Sequence, residues 1–388
     1  MKLPRLPAGE SAPRVVVLWT LLGGLLLLGA WRVWVLANFQ PLGLDFLPLW
    51  TAGRLAWTDP ARIYDFGFIT RAQGWLLPGL KWPRPYAYPP SALLLLAPLG
   101  RLPFWVALGA WLALGLGLFV YAGRRLAQQR RGLALGLMLL APCVMIAVQV
   151  GQSVLLVAGL IVIAVLELAR RPRLAGVLLA LAAAIKPQAV LLAPVALIAA
   201  GAYEALAYAA LTAIAVVTLS IAVFGVARWS EWIGALPAFQ QVIEATPAIA
   251  VGVITPTGLA HQLGLAGPVA ALWRIGFALC GVAIVWRAFS RPSGVSLRLT
   301  ALMGGGLLVA PYAMPYDASL LAPGVVAPAV ERLSGPGWFA RLLALVTACE
   351  IAAPRVGSLA VLAVIVLSWL AALSPRKPLA EAAALEGA

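Results

Sequence analysis

The sequence predicts an all-α polytopic membrane protein, and three observations support this fold class. Of the 388 residues, 63% are hydrophobic and only 11% are charged, whereas a soluble domain is about 45–50% apolar and about 25% charged. Long apolar runs, such as residues 15–30, 133–148 and 359–373, recur along the chain, and about 20 helical residues cross a bilayer. The runs do not alternate polar and apolar residues, which excludes a transmembrane β-barrel.

The apolar runs predict about twelve membrane helices in a single domain, residues 1–388. Pro, Gly and polar residues mark the turns between the runs, and several runs are short for a full crossing. The predicted spans are residues 14–36, 91–122 (bent at Pro98 and Pro103), 132–149, 152–169, 174–185, 188–201, 205–226, 267–288, 297–311, 315–330, 342–353 and 358–374.

Most of the 28 basic residues fall in six short clusters that an even number of spans can place on one side of the membrane. The positive-inside rule puts that side, and with it both termini, in the cytoplasm. Two long loops, residues 38–90 and 227–266, are then extracytoplasmic. The clusters are Lys2, Arg5 and Arg14; Arg124, Arg125, Arg130 and Arg131; Arg170, Arg171 and Arg173; Arg287, Arg291 and Arg298; Arg332 and Arg341; Arg376 and Lys377.

The net charge of +15 does not indicate a nucleic-acid partner, because the basic residues lie between apolar runs without interleaved aromatic residues. Three cysteines without paired spacing and one histidine give no expectation of a metal site. The sequence contains no P-loop and no Gly-rich turn after a strand. If the protein is an enzyme, we therefore expect a membrane lipid, not a nucleotide, to carry its substrate.

Asp45 is the acidic residue of greatest interest, because it follows the first span at the extracytoplasmic face. An ionisable group in that position tends to be functional, and a partly desolvated carboxylate can accept a proton from a substrate hydroxyl. The alternative is an N-cap for a helix over residues 47–57. Residue types alone weigh the two interpretations equally.

Lys186 closes the apolar run 174–185 and precedes Pro187. Its ammonium could reach the interface without a function, or it could bind an anion such as a phosphate. Six further cations lie in or beside the first extracytoplasmic loop. This concentration opposes the positive-inside bias and indicates that an anionic lipid headgroup is bound there. They are Arg54, Arg62, Arg71, Lys81, Arg84 and Arg101.

Further candidate site residues are expected at the same extracytoplasmic face of the membrane. Asp65, after Tyr64, is either a substrate contact or the N-cap of a short interfacial helix over residues 66–75. The short turn over residues 311–317 ends in Tyr316 and Asp317.

Five ordered motifs resemble glycosyltransferase family 87, the polyprenol-phosphate-mannose-dependent mannosyltransferases, from about residue 40 to residue 325. They are Asp45-Phe46 with Trp50-x-Ala52-Gly53, Tyr64-Asp65, Tyr88-Pro89-Pro90 followed by Ala97-Pro98-Leu99, Gly151-Gln152-Ser153, and Lys186-Pro187. The resemblance implies a GT-C fold and a bacterial inner-membrane enzyme with an extracytoplasmic active site. It further implies an inverting transfer of a hexose, such as mannose, from a polyprenyl-phosphate donor to a lipid-linked or periplasmic glycan, without a cofactor.

The resemblance also implies that Asp45, which matches the family's position, is the catalytic base. In the mechanism that we expect from the residues, Lys186 with Arg62 or Arg84 stabilises the leaving phosphate. Sugar or phosphate contacts are expected from Tyr64, Asp65, Tyr88, Gln152, Tyr316 and Asp317. Family members often carry a Ser-Pro-x-x-Trp-x-His-like segment, where this chain has Tyr316 and Asp317 instead of the histidine. The competing function is a transporter or flippase that moves a lipid-linked sugar or polyprenyl phosphate without chemistry.

Overall fold

The computed structural model describes residues 41–76, 84–128, 130–246, 252–331, 337–350 and 357–373, together with nine positions between Thr20 and Asn38. Those nine positions are helical, and the rest of the predicted first span lies outside the described residues. The described residues contain helices and no strand, which confirms the predicted all-α class.

From residue 46 onward the described residues form seventeen α-helices, with four short 3-10 turns (Pro60–Arg62, Pro90–Ala92, Pro187–Val190 and Pro315–Leu320) between them. In chain order the helices are α1 (Phe46–Thr58), α2 (Phe66–Leu76), α3 (Leu93–Gly100), α4 (Phe104–Leu126), α5 (Arg131–Leu140), α6 (Pro142–Val150), α7 (Val154–Glu167), α8 (Pro172–Ile185), α9 (Ala193–Ala199), α10 (Tyr203–Phe224), α11 (Ala227–Ala245), α12 (Pro256–Gln262), α13 (Gly267–Phe289), α14 (Val295–Val309), α15 (Ala322–Glu331), α16 (Trp338–Glu350) and α17 (Gly357–Leu373).

Three of these helices, α4, α10 and α13, are long and apolar enough to cross a membrane by length and composition. The pair α5 and α6 adds a fourth candidate if it is one span bent by 59°. The apolar faces of α10 and α13 are largely exposed, as expected of side chains that contact lipid. The protein is therefore a membrane protein, whereas the prediction of about twelve spans remains a prediction.

Proline explains where the predicted spans are interrupted. The predicted span 91–122 is divided into two helices: α3 ends at Gly100, and α4 begins at Phe104, immediately after Pro103. The predicted span 132–149 bends where Pro142 begins α6. Proline has no N–H for the helical hydrogen bond and fixes its own φ, so a helix breaks or restarts there.

The centre of the bundle is α7, which is buried along almost its whole length. It packs between α4 and α8, and α10 covers the other side of α8. Gly176 of α8 lies so close to α10 that an added Cβ would overlap the Ala205 carbonyl. Small residues permit this kind of close approach between membrane helices.

The first predicted loop, residues 38–90, contains α1 and α2, close to the helices predicted over residues 47–57 and 66–75. Helix α1 lies directly against α3, because Gly53 leaves room for the Leu96 carbonyl that a Cβ would overlap. The second predicted loop, residues 227–266, also contains helices, α11 and α12. The Arg228 guanidinium at the start of α11 donates to the Pro60 carbonyl, and the Trp232 indole donates to the Ala87 carbonyl at 3.0 Å. Helix α11 is therefore tied to the first loop.

Candidate functional site

A cavity of about 1150 Å³ lies where the first loop, α6, α8 and the turn over residues 311–317 meet. The polar and charged residues that line it include most of those singled out from the sequence. They are Asp45, Arg84, Tyr88, Gln152, Lys186 and Tyr316. Asp45 and Lys186 therefore face one space, as a common binding site requires.

The main chain of Asp45 is fixed to the end of α6. The Asp45 N–H donates to the Val150 carbonyl at 2.8 Å, and the Gly43 N–H donates to the Gln149 carbonyl at 2.9 Å. Gly151 then turns the chain with φ of 75°, a left-handed conformation that glycine adopts without steric cost. This turn places Gln152 beside the carboxylate of Asp45.

The carboxylate of Asp45 has a donor on each oxygen. Arg84 Nε lies 3.2 Å from Oδ1, and Gln152 Nε2 lies 2.8 Å from Oδ2. Asp45 precedes α1, but its side chain makes no capping hydrogen bond. Asp45 therefore occupies the N-cap position of α1, but its side chain does not cap the helix and instead belongs to the polar network of the cavity.

Tyr88 orients Gln152 by binding its amide oxygen, on the side away from Asp45. Its hydroxyl lies 3.0 Å from Gln152 Oε1, to which it donates, and 2.9 Å from the Ser153 hydroxyl. A carboxylate accepts hydrogen bonds and cannot donate them, so the amide of Gln152 must turn its nitrogen toward Asp45 and its oxygen toward Tyr88. The network therefore specifies one orientation of the amide and with it the position of the Asp45 carboxylate.

Lys186 is the C-cap residue of α8, and its ammonium forms a salt bridge with the Asp317 carboxylate. Both side chains are almost fully buried, with 5% and 1% exposed. The second oxygen of Asp317 accepts the Met314 N–H at 2.9 Å. The ammonium of Lys186 is therefore buried against a carboxylate instead of being exposed at the protein surface.

Aromatic side chains form much of the remaining wall of the cavity. Tyr312 and Tyr316 have their hydroxyls 3.4 Å apart, and Phe239 of α11 packs edge-on against Tyr312 with ring centroids 5.4 Å apart. Trp232 of α11 also lines the cavity. Apolar and aromatic walls with a few placed polar groups are typical of small-molecule sites.

Four residues predicted for the site do not line the cavity, namely Arg62, Tyr64, Asp65 and Asp317. Arg62 is half exposed and binds Asp65 at 2.8 Å, because opposite charges three residues apart meet within one turn. Asp65 caps α2 by accepting the Phe68 N–H at 2.9 Å, as the N-cap alternative expected. This hydrogen bond, with Arg62, holds the pKa of Asp65 below its usual value.

Tyr64 contacts the polar network indirectly, through Tyr88. Its hydroxyl donates to the Tyr88 carbonyl at 2.9 Å, and burial raises the pKa of this phenol above its usual value, so it stays protonated as a donor. Tyr64 therefore contacts the main chain of Tyr88 and does not line the cavity. Asp317, also predicted for the site, lies behind Lys186.

Sequence reasoning missed Arg274 of α13 and Gln73 of α2. Arg274 lines the cavity, and none of the carboxylates whose side chains the structure describes forms a salt bridge with it. Arg274 could have been identified from the sequence, because it is a cation within the largely apolar span 267–288, a position that tends to be functional. Gln73 is fully buried and donates to the Arg84 carbonyl at 2.7 Å. Among the described residues, no group of three or more His, Cys, Asp or Glu could hold a metal ion.

Comparison with known families decides the class of the protein. The model of glycosyltransferase family 87 matches residues 86–315, more than half of the chain. The chain belongs to glycosyltransferase family 87. Neither the comparison with curated proteins nor that with solved structures found a match.

Membership of family 87 makes the protein a membrane glycosyltransferase and confirms the resemblance inferred from the sequence. The matched segment includes Tyr88, Gln152 and Lys186. Asp45 and Arg84 precede it, so their place in the site rests on the contacts described above.

Proposed function

We propose that this family 87 protein transfers a hexose, with mannose the first candidate, from a polyprenyl-phosphate donor to a lipid-linked or periplasmic glycan. The reaction inverts the anomeric centre and takes place at the extracytoplasmic face of the bacterial inner membrane. A GT-C bundle of about twelve membrane helices with both termini in the cytoplasm is part of the proposal. The observation that supports it most is that Asp45, Arg84 and Lys186 line one cavity.

Asp45 is the proposed general base. The acceptor oxygen attacks the anomeric carbon while its proton moves to an oxygen of Asp45, and the bond from carbon to phosphate oxygen breaks with its electron pair on the phosphate. Each carboxylate oxygen has room for more than one hydrogen bond, so Arg84 and Gln152 leave space for the acceptor hydroxyl. A positioned base contributes about 10²- to 10⁴-fold to such a step.

Cations supply the second contribution in this proposal. Negative charge grows on the phosphate as the bond breaks, and preorganised positive charge lowers the energy of that state. Arg84, Lys186 and the unpredicted Arg274 provide it along the cavity. The tyrosine and tryptophan rings of the wall offer flat apolar surfaces to the sugar.

Sugar transfer by purified protein, measured with radiolabelled polyprenyl-phosphate sugars, tests this proposal. We expect Asp45→Asn to lower transfer by at least about 100-fold. Asp59→Asn is the matched control: Asp59 lies in the same loop, its side chain is 50% exposed, and it does not line the cavity. Transfer that persists in a folded Asp45→Asn protein would exclude Asp45 as the base. A wild-type protein that translocates the lipid-linked sugar without transferring it would favour the transporter.

A further inference from the structure

Arg84 contacts the base through one edge of its guanidinium only. Its Nε lies 3.2 Å from Asp45 Oδ1, longer than the about 2.7–2.9 Å of a strong charge-assisted hydrogen bond. Among the described residues, no group accepts a hydrogen bond from either terminal nitrogen of Arg84, and the side chain lines the cavity. The guanidinium can therefore bind Asp45 and a second anion at the same time.

The main chain under Arg84 is held in place independently of this side chain. Gln73, fully buried in α2, donates from Nε2 to the Arg84 carbonyl at 2.7 Å. The Arg84 side chain is 17% exposed and that of Asp45 13%. Arg84 is thus anchored beside Asp45, while its guanidinium keeps access to the cavity.

The charges of the two partners change together in the proposed reaction, on which this inference rests. Before transfer, Asp45 is an anion and balances Arg84. During transfer the acceptor proton neutralises Asp45, and the phosphate diester, with one negative charge, becomes a monoester with a charge of about −1.5 to −2 at neutral pH. Arg84 loses its anionic partner in the same step in which a new anion forms in the cavity.

We propose that Arg84 couples the protonation of Asp45 to the binding of the leaving phosphate. While Asp45 is charged, its negative charge offsets that of the guanidinium, so the site binds a phosphate monoester weakly. When Asp45 takes the proton, the full charge of Arg84 becomes available to the phosphate. The cavity with protonated Asp45 therefore binds the product phosphate more tightly than the cavity with charged Asp45. Loss of the proton from Asp45 then promotes release of the phosphate.

A double-mutant cycle on binding tests the coupling without any turnover. Asp45→Asn imitates the neutral base, and decyl phosphate, titrated into purified protein in detergent and followed by calorimetry, imitates the product. We expect Asp45→Asn to bind decyl phosphate at least about tenfold more tightly than wild type, because one charge-assisted hydrogen bond strengthens. In an Arg84→Gln background the same Asp45→Asn change is expected to have less than about a threefold effect.

Two controls separate the coupling from simpler effects. Removing a negative charge raises the affinity for an anion even without Arg84, and the Arg84→Gln background measures that part alone. Asp59→Asn, outside the cavity, is expected to leave the affinity unchanged in both backgrounds. If Arg84→Gln does not fold, Arg84→Lys replaces it, and a smaller gain is expected because lysine lacks the second nitrogen needed to bridge two anions.

A gain of equal size with and without Arg84, or no gain in Asp45→Asn, would overturn the coupling. The transfer assay distinguishes this failure from failure of the proposed function. If Asp45→Asn abolishes transfer but the cycle shows no coupling, Asp45 is the base and only the role of Arg84 is wrong. If transfer survives in Asp45→Asn, the proposed function of Asp45 is wrong, whatever the binding data show.

Discussion

Removing the charge of Lys186 is expected to destabilise the protein far more than removing a charge at its surface. Asp317 would keep its carboxylate in a position that is 1% exposed, without its cation. Breaking a buried ion pair by removing one partner costs about 3–5 kcal/mol, because the remaining charge is buried and uncompensated. We therefore expect Lys186→Met to lower the free energy of unfolding by that amount.

The surface pair of Arg173 and Glu204 provides the matched control. Its side chains are 68% and 46% exposed, and exposed pairs contribute about 0–1 kcal/mol. Arg173→Met is therefore expected to change stability by less than about 1 kcal/mol. The double variant Lys186→Met with Asp317→Leu should recover most of the loss, because apolar residues can replace a buried pair.

The assay is chemical or thermal unfolding of each variant in the same detergent, followed by tryptophan fluorescence. The reasoning is refuted if Lys186→Met loses no more stability than Arg173→Met. It is also refuted if the double variant is as unstable as the single one, because the penalty would then not come from the isolated Asp317 carboxylate.

Three further predictions follow from the site and its supports. Gln152→Glu should lower turnover by about 10- to 100-fold, measured by sugar transfer, because the hydrogen bond that positions Asp45 is lost; unchanged turnover would contradict the positioning role. Asp65 has a lowered pKa, so its cap on α2 should persist above about pH 3.9 and weaken as the pH falls below that value. Amide exchange at α2 measures the stability of this helix. Asp65→Ala is expected to lower that stability by about 1 kcal/mol and to remove its pH dependence. Gly53→Ala should cost about 1–3 kcal/mol in unfolding assays because its methyl group meets backbone, whereas Gly109→Ala, with open space around it, should not destabilise α4; equal effects would rule out the steric explanation.

Sequence patterns were sufficient for elements that depend on nearby residues. Helices α1 and α2 begin and end within about two residues of their predicted bounds, and the Asp65 cap was one of two stated interpretations. Composition was misleading for α11, because charged and amide residues made the segment resemble a loop. Its helix is tied to the first loop through Arg228 and Trp232, and no pattern within the segment reveals such contacts.

The site was predictable as a set of residue types but not as a set of contacts. Asp45 and Gln152 are 107 residues apart, and Lys186 and Asp317 are 131 apart. Asp45, Lys186 and Asp317 were noticed because each stands at or near the end of an apolar run, and Gln152 because it belongs to a motif of the family resemblance. Which of them pair depends on how the helices pack, which the sequence pattern does not reveal. It likewise does not show that Arg62 pairs with its neighbour Asp65 and does not line the cavity.

The two hydrogen bonds from α11 to the first loop have a consequence for engineering specificity. Arg228 binds the Pro60 carbonyl, and Trp232 binds the Ala87 carbonyl. A chimera that takes only the first loop from another family member would have to present these carbonyls to a foreign helix. Donor or acceptor preference should therefore transfer between relatives only when both segments are exchanged as one unit.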